Sequence, residues 1–229
     1  MKKLRGIKTV ICDIDDTLYP STEFSATARK NAILSMLEAG LDADADKAYS
    51  ALSAIVVNYS SNYSAHFDRL CEKFGCKGNK KIIAAGIQGY HDTKLTLQPF
   101  PYVPRTLLEL RLRGYKLCVA SEGFALKQWE KLIRLRLYHL FGQVFVSEEL
   151  GMPKSKKFYA HIAGKLGGAE NCLMVGDRLE KDIIPAKAAG MRTALLLASQ
   201  NGRDIELNKP SSKYIDLRMC AFSDLLKYL

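Results

Sequence analysis

The stretch T-V-I-C-D-I-D-D-T-L-Y-P, residues 9–20, runs through an apolar strand and then places three carboxylates within four residues. Asp13, Asp15 and Asp16 repel one another and cannot be buried together as bare charges. Either a positive group lies beside them or one of them holds a proton. The stretch therefore predicts a strand with a chemical site at its carboxyl end.

Helices and strands alternate from residue 104 onward. Helices are predicted over 104–113, 124–140, 155–166 and 180–189, and strands in Y-K-L-C-V-A-S, Q-V-F-V-S, N-C-L-M-V-G-D and R-T-A-L-L-L. Strands this continuously apolar are covered on both faces, so we expect a mostly parallel sheet with helices on each side. The predicted fold class is α/β, with a Rossmann-like core.

The stretch between the first strand and this alternating part contains helical patterns and no convincing strand. A first helix is predicted from the four-residue spacing of Phe24, Ala28, Ala32 and Met36 and ends at Gly40, and further helices are predicted over 43–57, 64–74 and 79–91. The stiff connector P-F-P-Y-V-P leads back to the alternating part. We therefore predict an α/β core domain of residues 1–19 and 96–229, with a small all-helical domain of residues 20–95 inserted in it.

Composition narrows the class of protein. The 229 residues have an ordinary balance of apolar and charged side chains, and no stretch is apolar for long enough to span a membrane. The N-terminus lacks the apolar stretch of a signal peptide. The six cysteines are scattered and suggest no zinc site, so we expect a reduced, cytoplasmic protein.

The net charge of +10 weakly favours an anionic partner. Basic residues crowd one region: Arg105, Arg111, Arg113, Lys116, Lys127, Lys131, Arg134 and Arg136. No aromatic series accompanies them, as stacking on bases would require. We interpret them as a solvated helix surface, and we expect neither a nucleic-acid partner nor a membrane partner.

Polar residues follow four of the predicted strands. They are Asp13, Asp15 and Asp16 after the first, Ser121 after the second, Lys154 after the third, and Asp177 and Asp182 after the fourth. Ligands of open parallel sheets bind at the carboxyl ends of the strands, where these residues would meet. The carboxylates would bind a hard cation such as Mg²⁺, while the hydroxyl and the ammonium would hold phosphoryl oxygens.

The segments D-I-D-D-T-L and G-D-R-L-E-K-D, with Ser121 and Lys154 between them, resemble the four motifs of the haloacid dehalogenase (HAD) superfamily. The helical insertion resembles the cap of its subfamily I. Stretches such as A-R-K-N-A-I, S-N-Y-S-A-H-F-D and K-Q-W-E-K-L-I-R-L are similar to the archaeal glyceraldehyde 3-phosphate phosphatase-like hydrolases of that superfamily.

Two positions depart from the pattern of the superfamily. In relatives the motif III lysine is usually followed by a proline, another residue and a second proline, whereas Lys154 is followed by S-K-K. Lys156 or Lys157 could therefore take its place. Glu122 stands where relatives often have Asp or Asn, and its role is open.

The resemblance implies a covalent mechanism. Asp13 would be the nucleophile that forms an aspartyl-phosphate, and Asp15 would protonate the leaving alcohol and then activate water. Asp16 would stabilise the loop.

The resemblance also implies the binding residues. Mg²⁺ would be held by Asp13, the main-chain carbonyl of Asp15 and Asp177. Ser121 and Lys154 would stabilise the transferring phosphoryl group. Asp182 would orient Lys154 or a metal-bound water.

The expected function is that of a Mg²⁺-dependent phosphatase for a small metabolite resembling glyceraldehyde 3-phosphate. The cap would contact the leaving group, with Tyr19, Tyr63, His66 and Lys94 as candidates from the cap and its hinges. The alternatives are a nucleotidase or a phosphomutase. A dehalogenase is disfavoured by Asp15, because halide leaves without a proton, and a nucleic-acid-binding protein with a HAD fold rests on net charge alone.

Overall fold

The structure is a computed structural model that describes residues 3–60, 62–197 and 213–229. The chain divides into two compact units. The larger unit comprises Met1–Ser21 and Gln98–Leu229, and the smaller unit comprises Thr22–Leu97. The smaller unit is therefore inserted into the larger unit after the first strand of the larger unit.

A six-stranded sheet forms the larger unit. Its strands are Thr9–Cys12 (β1), Lys116–Ser121 (β2), Gln143–Val146 (β3), Cys172–Gly176 (β4), Arg192–Leu196 (β5) and Leu217–Met219 (β6). Their order is β3-β2-β1-β4-β5-β6, and every neighbouring pair is parallel. The predicted parallel α/β architecture is confirmed. Strand β1 lies between β2 and β4, the point at which the strand order reverses and ligands usually bind.

Nine α-helices occur in the described parts of the chain. They are Ser21–Glu38 (α1), Ala45–Tyr59 (α2), His66–Lys73 (α3), Lys80–Thr93 (α4), Val103–Leu112 (α5), Ala125–Arg134 (α6), Lys156–Lys165 (α7), Ile184–Ala188 (α8) and Leu225–Tyr228 (α9). None of the described helices has both the length and the apolar character that a membrane span requires.

Apolar side chains of the strands and of α7 form one core of the larger unit. Ile11, Cys118 and Met174 come from three adjacent strands, and Phe158 and Ile162 pack against them from α7. All five are buried. The continuous burial of strands such as β4 matches their unbroken apolar sequence.

Two elements differ from the sequence-based prediction. The helix predicted over 124–140 ends at Arg134, because Arg136 adopts a left-handed conformation (φ 56°) and the Leu137 amide bonds back to the Leu132 carbonyl. Strand β6 was not predicted, since three residues with an exposed Arg218 in the middle carry too short a pattern.

The smaller unit is built from α1–α4. Met36, Leu52, Leu70 and Ile82, one from each helix, share its apolar core. Gly89 lets α4 approach α1 closely, because a Cβ placed there would lie 3.0 Å from the Asn31 carbonyl oxygen. The role of residues 20–95 as a cap domain stays a prediction.

Candidate active site

The loop after β1 begins with a residue that still belongs to the sheet ladder. The Asp13 amide donates to the Val175 carbonyl at 2.9 Å, continuing the pairing of β1 with β4. The chain then turns, with the Leu18 amide bonded to the Ile14 carbonyl at 2.9 Å. Asp16 takes a left-handed conformation (φ 54°), which aspartate tolerates better than most residues. Asp13 is therefore anchored by the rigid centre of the sheet, and its side chain is buried.

Lys154 lies in the midst of the acidic residues. Its Nζ donates to Asp13 Oδ1 and to Asp182 Oδ1, both at 2.6 Å. Its side chain is only 3% exposed, whereas Lys156 and Lys157 are exposed at the start of α7. Of the three candidate lysines, the structure places Lys154 against Asp13.

The end of β4 supplies the remaining carboxylates. Asp177 follows the strand directly, and Asp182 turns back so that its Oδ2 accepts from the Arg178 amide at 3.1 Å. A Cβ on Gly176 would lie 2.6 Å from the Cβ of Asp182, so only glycine permits this approach. One oxygen from each of Asp13, Asp177 and Asp182 lies within 4.8 Å of the others.

Burial dominates the electrostatics of this cluster. It raises the pKa of Asp177 from 3.8 to about 8, and the charges of Asp13 and Asp182 add to the effect. Burial also raises the pKa of Asp13 to about 7, although Lys154 opposes the shift. For Lys154, burial disfavours the ammonium, but Asp13 and Asp182 outweigh it and raise its pKa well above the usual value.

The donor set fits a divalent cation. It offers three buried carboxylates whose oxygens are close enough to share one small ion, and hard cations prefer oxygen ligands. Lys154 supplies one ammonium to the cluster, and burial, followed by the charges of neighbouring carboxylates, raises the pKa values of Asp13 and Asp177. Asp15 contributes no side-chain atom to the cluster.

Ser121, the last residue of β2, is buried and bonds to α6. Its Oγ donates to Gln128 Oε1 at 3.2 Å, and Gln128 Nε2 donates to the Glu122 carbonyl at 3.1 Å. The Glu122 side chain, whose role was open, pairs with Lys181 at 2.9 Å.

Asp15 has partners that sequence reasoning missed. Its Oδ1 accepts from the Tyr19 hydroxyl at 2.8 Å, and Lys131 Nζ donates to both of its oxygens at 2.7 and 2.6 Å. The interpretation of Lys131 as part of a solvated surface is wrong, because α6 turns it toward the loop after β1. The i, i+3 spacing places Gln128 and Lys131 on one helix face, but it does not indicate what that face contacts.

Two of the predicted specificity residues form a small cluster in the smaller unit. The ring of Tyr63 stacks on Tyr59 with centroids 4.7 Å apart, and the Tyr63 hydroxyl accepts from Arg69 Nε at 3.3 Å. His66 Nε2 bonds to the Ser60 carbonyl at 2.9 Å. Lys94 begins a short 3₁₀ turn after α4.

The chain is similar in sequence and in fold to known hydrolases. The family model of the haloacid dehalogenase-like hydrolases matches residues 7–190. A glyceraldehyde 3-phosphate phosphatase of Methanopyrus kandleri is 46% identical over 192 residues, covering 82% of either chain. The enzyme of that name from Methanocaldococcus jannaschii is 40% identical over 223 residues, covering 96% of either chain. The fold is similar to that of a magnesium-bound HAD hydrolase from Bacillus subtilis, with a TM-score of 0.67 at 18% identity over 97% of this chain and 98% of the other.

Proposed function

The chain belongs to the haloacid dehalogenase-like hydrolase family, and from this premise we propose that it is a Mg²⁺-dependent phosphatase of a small phosphorylated metabolite. The observation that carries the proposal is Lys154 held at 2.6 Å from both Asp13 and Asp182 inside a buried carboxylate cluster. Relatives at 46% and 40% identity are named glyceraldehyde 3-phosphate phosphatase, which supports a substrate of that kind.

Asp13 is the proposed nucleophile. One of its carboxylate oxygens bonds to phosphorus while the bond from phosphorus to the alcohol oxygen breaks, which leaves an aspartyl-phosphate. The ammonium of Lys154 and the hydroxyl of Ser121 stabilise the negative charge of the transferring group. Asp182 holds that ammonium in place through its 2.6 Å bond.

Asp15 is the proposed acid and base. It gives a proton to the leaving alcohol and then takes one from the water that attacks the aspartyl-phosphate, which releases phosphate and restores Asp13. A carboxylic acid in this position serves an alcohol leaving group, whereas a halide needs no proton. Asp15 therefore favours the phosphatase over a dehalogenase.

The side chains of Asp13 and Asp177 and the main-chain carbonyl of Asp15 are the residues proposed to hold Mg²⁺. When bound, the ion offsets the repulsion between an anionic nucleophile and an anionic substrate and polarises the phosphoryl oxygens.

All six cysteines are free thiols, in keeping with the cytoplasmic location that we propose.

The test is phosphate release from a panel of phosphorylated metabolites with Mg²⁺. The panel includes glyceraldehyde 3-phosphate, nucleoside monophosphates and sugar phosphates, so that a nucleotidase or a phosphomutase would be recognised by its products. Asp13→Asn should abolish phosphate release without unfolding the protein, because an amide is not a nucleophile here. Asp16→Asn, the same change in the same loop, is the matched control and should retain activity. Normal turnover by Asp13→Asn would refute the covalent mechanism.

The proposed cap domain, residues 20–95, is the candidate for substrate choice. Phosphoryl-binding residues contact a group that is common to every phosphate ester, so substrate selectivity requires contacts with the leaving group. Tyr63→Phe, His66→Ala and Lys94→Ala should lower kcat/KM for glyceraldehyde 3-phosphate by about 10-fold where a hydrogen bond is lost, and less for an aryl phosphate. Equal losses for both substrates would move specificity to the core loops.

A further inference from the structure

The side chains of Gln128 and Lys131 link two parts of the proposed active site. Both lie on α6, one turn apart, and Lys131 Nζ donates to Gln128 Oε1 at 3.2 Å. The same Oε1 accepts from Ser121 Oγ at 3.2 Å. Lys131 reaches Asp15, and Gln128 reaches Ser121. One face of one helix thus contacts both the proposed acid and the proposed phosphoryl-binding hydroxyl.

Three hydrogen bonds from two side chains hold the Asp15 carboxylate. Lys131 Nζ donates to both oxygens, and the Tyr19 hydroxyl also donates to Oδ1. A carboxylate on a short side chain turns freely unless its oxygens are engaged, and proton transfer requires hydrogen-bond distance in a defined direction. The arrangement fixes the direction in which Asp15 presents its oxygens.

The Lys131–Asp15 ion pair is unlike the other ion pairs of α5 and α6. Arg134 pairs with Glu130 four residues earlier on α6, and Arg113, which directly follows α5, pairs with Glu109 four residues earlier. Lys131 and Asp15 are 116 residues apart in the chain, and the pair joins α6 to the loop after β1. Its side chains are 23% and 37% exposed, and Lys131 Nζ bonds to both oxygens of Asp15, so the pair is a well-defined contact between two elements of the larger unit.

Gln128 is buried, and both the nitrogen and the oxygen of its side-chain amide make hydrogen bonds. Its Nε2 bonds to the Glu122 carbonyl, while its Oε1 faces the Ser121 hydroxyl. Gly123 makes room for it, since a Cβ at that position would lie 2.8 Å from Nε2 and the φ of 126° suits glycine. The turn after β2 is therefore shaped around this glutamine.

We infer that Lys131 and Gln128 are positioning residues of the proposed reaction, Lys131 orienting Asp15 toward the leaving-group oxygen and Gln128 orienting Ser121 toward the phosphoryl group. This inference rests on the proposed phosphatase activity and deepens it. The two residues act on different atoms of the substrate, so their loss has different consequences. Loss of Lys131 impairs protonation of the alcohol, and loss of Gln128 weakens a contact that every phosphate ester shares.

A leaving-group series distinguishes the two roles. The probes are 4-nitrophenyl, phenyl and 4-methoxyphenyl phosphate, whose phenols differ in their need for a proton. For Lys131→Met we expect kcat/KM to fall by about 10- to 100-fold with phenyl and 4-methoxyphenyl phosphate, and by less than about 3-fold with 4-nitrophenyl phosphate. Lys131→Arg keeps the cation and should recover part of the loss. Lys127→Met, an exposed lysine one turn earlier on α6, is the control and should behave as wild type.

Gln128→Met should lower kcat/KM without dependence on the leaving group. We expect a similar loss of kcat/KM for all three esters, together with weaker inhibition by inorganic phosphate, since Ser121 contacts the group that they share. Circular dichroism and thermal melting establish that each variant is folded, and the more exposed Lys131 carries the test alone if Gln128→Met fails to fold.

The outcomes separate this inference from the proposed function. If the wild type releases no phosphate from any ester, the proposed function fails and the inference with it. If the wild type is active but Lys131→Met loses the same factor on all three esters, or loses nothing, the positioning role of Lys131 is overturned while the phosphatase stands. A leaving-group-dependent loss that Lys131→Arg partly restores supports the inference.

Discussion

Replacing Asp177 by asparagine should stabilise the metal-free protein while it removes the response to metal. The side chain keeps its shape, but a buried carboxylate becomes a neutral amide. Burial, and then the charges of Asp13 and Asp182, raise the pKa of Asp177 from 3.8 to about 8. The folded protein thus binds this proton more tightly than the unfolded chain does. Its stabilising contribution is present below about pH 4 and is lost as the pH rises through about 8.

The magnitude follows from the size of that shift. The pKa of Asp177 rises from 3.8 to about 8, which is about four pH units, and each pH unit corresponds to about 1.4 kcal/mol of free energy. Relaxation and water penetration relieve part of the penalty of a buried charge. We therefore expect Asp177→Asn to raise the free energy of unfolding by about 2–3 kcal/mol at pH 8, or the melting temperature by about 5–10 °C. At pH 5 the gain should be small, because Asp177 is then protonated in the folded wild type.

Thermal and urea unfolding in EDTA, at pH 5 and pH 8, measure this effect. Added Mg²⁺ at about 100 times its dissociation constant should stabilise the wild type by about 2.7 kcal/mol and the variant far less. Asp42→Asn, at an exposed position, is the control for the chemical change. A variant less stable than wild type in EDTA at pH 8, or an equal response of both proteins to Mg²⁺, would refute the reasoning.

Three further predictions concern the buried lysine, the metal requirement and the packing of the smaller unit. Lys154→Met should lower the free energy of unfolding of the metal-free protein at pH 8 by about 3–5 kcal/mol, because Asp13 and Asp182 lose their buried cation. An unchanged midpoint of urea unfolding would contradict this pairing. Phosphate release should stop in EDTA, return with Mg²⁺ and return poorly with Ca²⁺, whose larger coordination shell misplaces the in-line attack; a rate indifferent to chelation would exclude the metal assignment. Gly89→Ala should destabilise the smaller unit by about 1–3 kcal/mol, because the methyl group of the alanine would crowd Asn31. An unchanged melting curve would show that α1 and α4 can separate without cost.

The sequence alone determined the architecture of the larger unit. Unbroken apolar strands such as that before Asp13 have to be covered on both faces, and alternation with helices makes such strands parallel. Parallel strands put all their carboxyl ends on one edge of the sheet. This is why Asp13, Lys154 and Asp177 could be assigned to one place from their positions after strands, although the chain separates them widely.

Local chain geometry was less accessible. The helix predicted to extend to residue 140 stops at Arg134, because a left-handed residue and a returning hydrogen bond at Leu137 outweigh the helical pattern of the side chains. The choice of Lys154 over Lys156 and Lys157 rested only on counting residues from Gly151. It depended on where α7 begins, and Ser155, whose side chain accepts from the Phe158 amide, caps α7 directly after Lys154.

Only the tertiary structure decided the partners of α6. A lysine on a helix carries the same polar pattern whether it meets water or a carboxylate, so the sequence does not distinguish Lys131 from Lys127 one turn earlier. Its contact with Asp15 depends on how α6 packs against the sheet and on which face the helix turns toward the loop after β1. That rotation is set by apolar burial, notably of Leu132, which is wholly buried beside it. Contacts across 116 residues are thus consequences of packing, which no local pattern records.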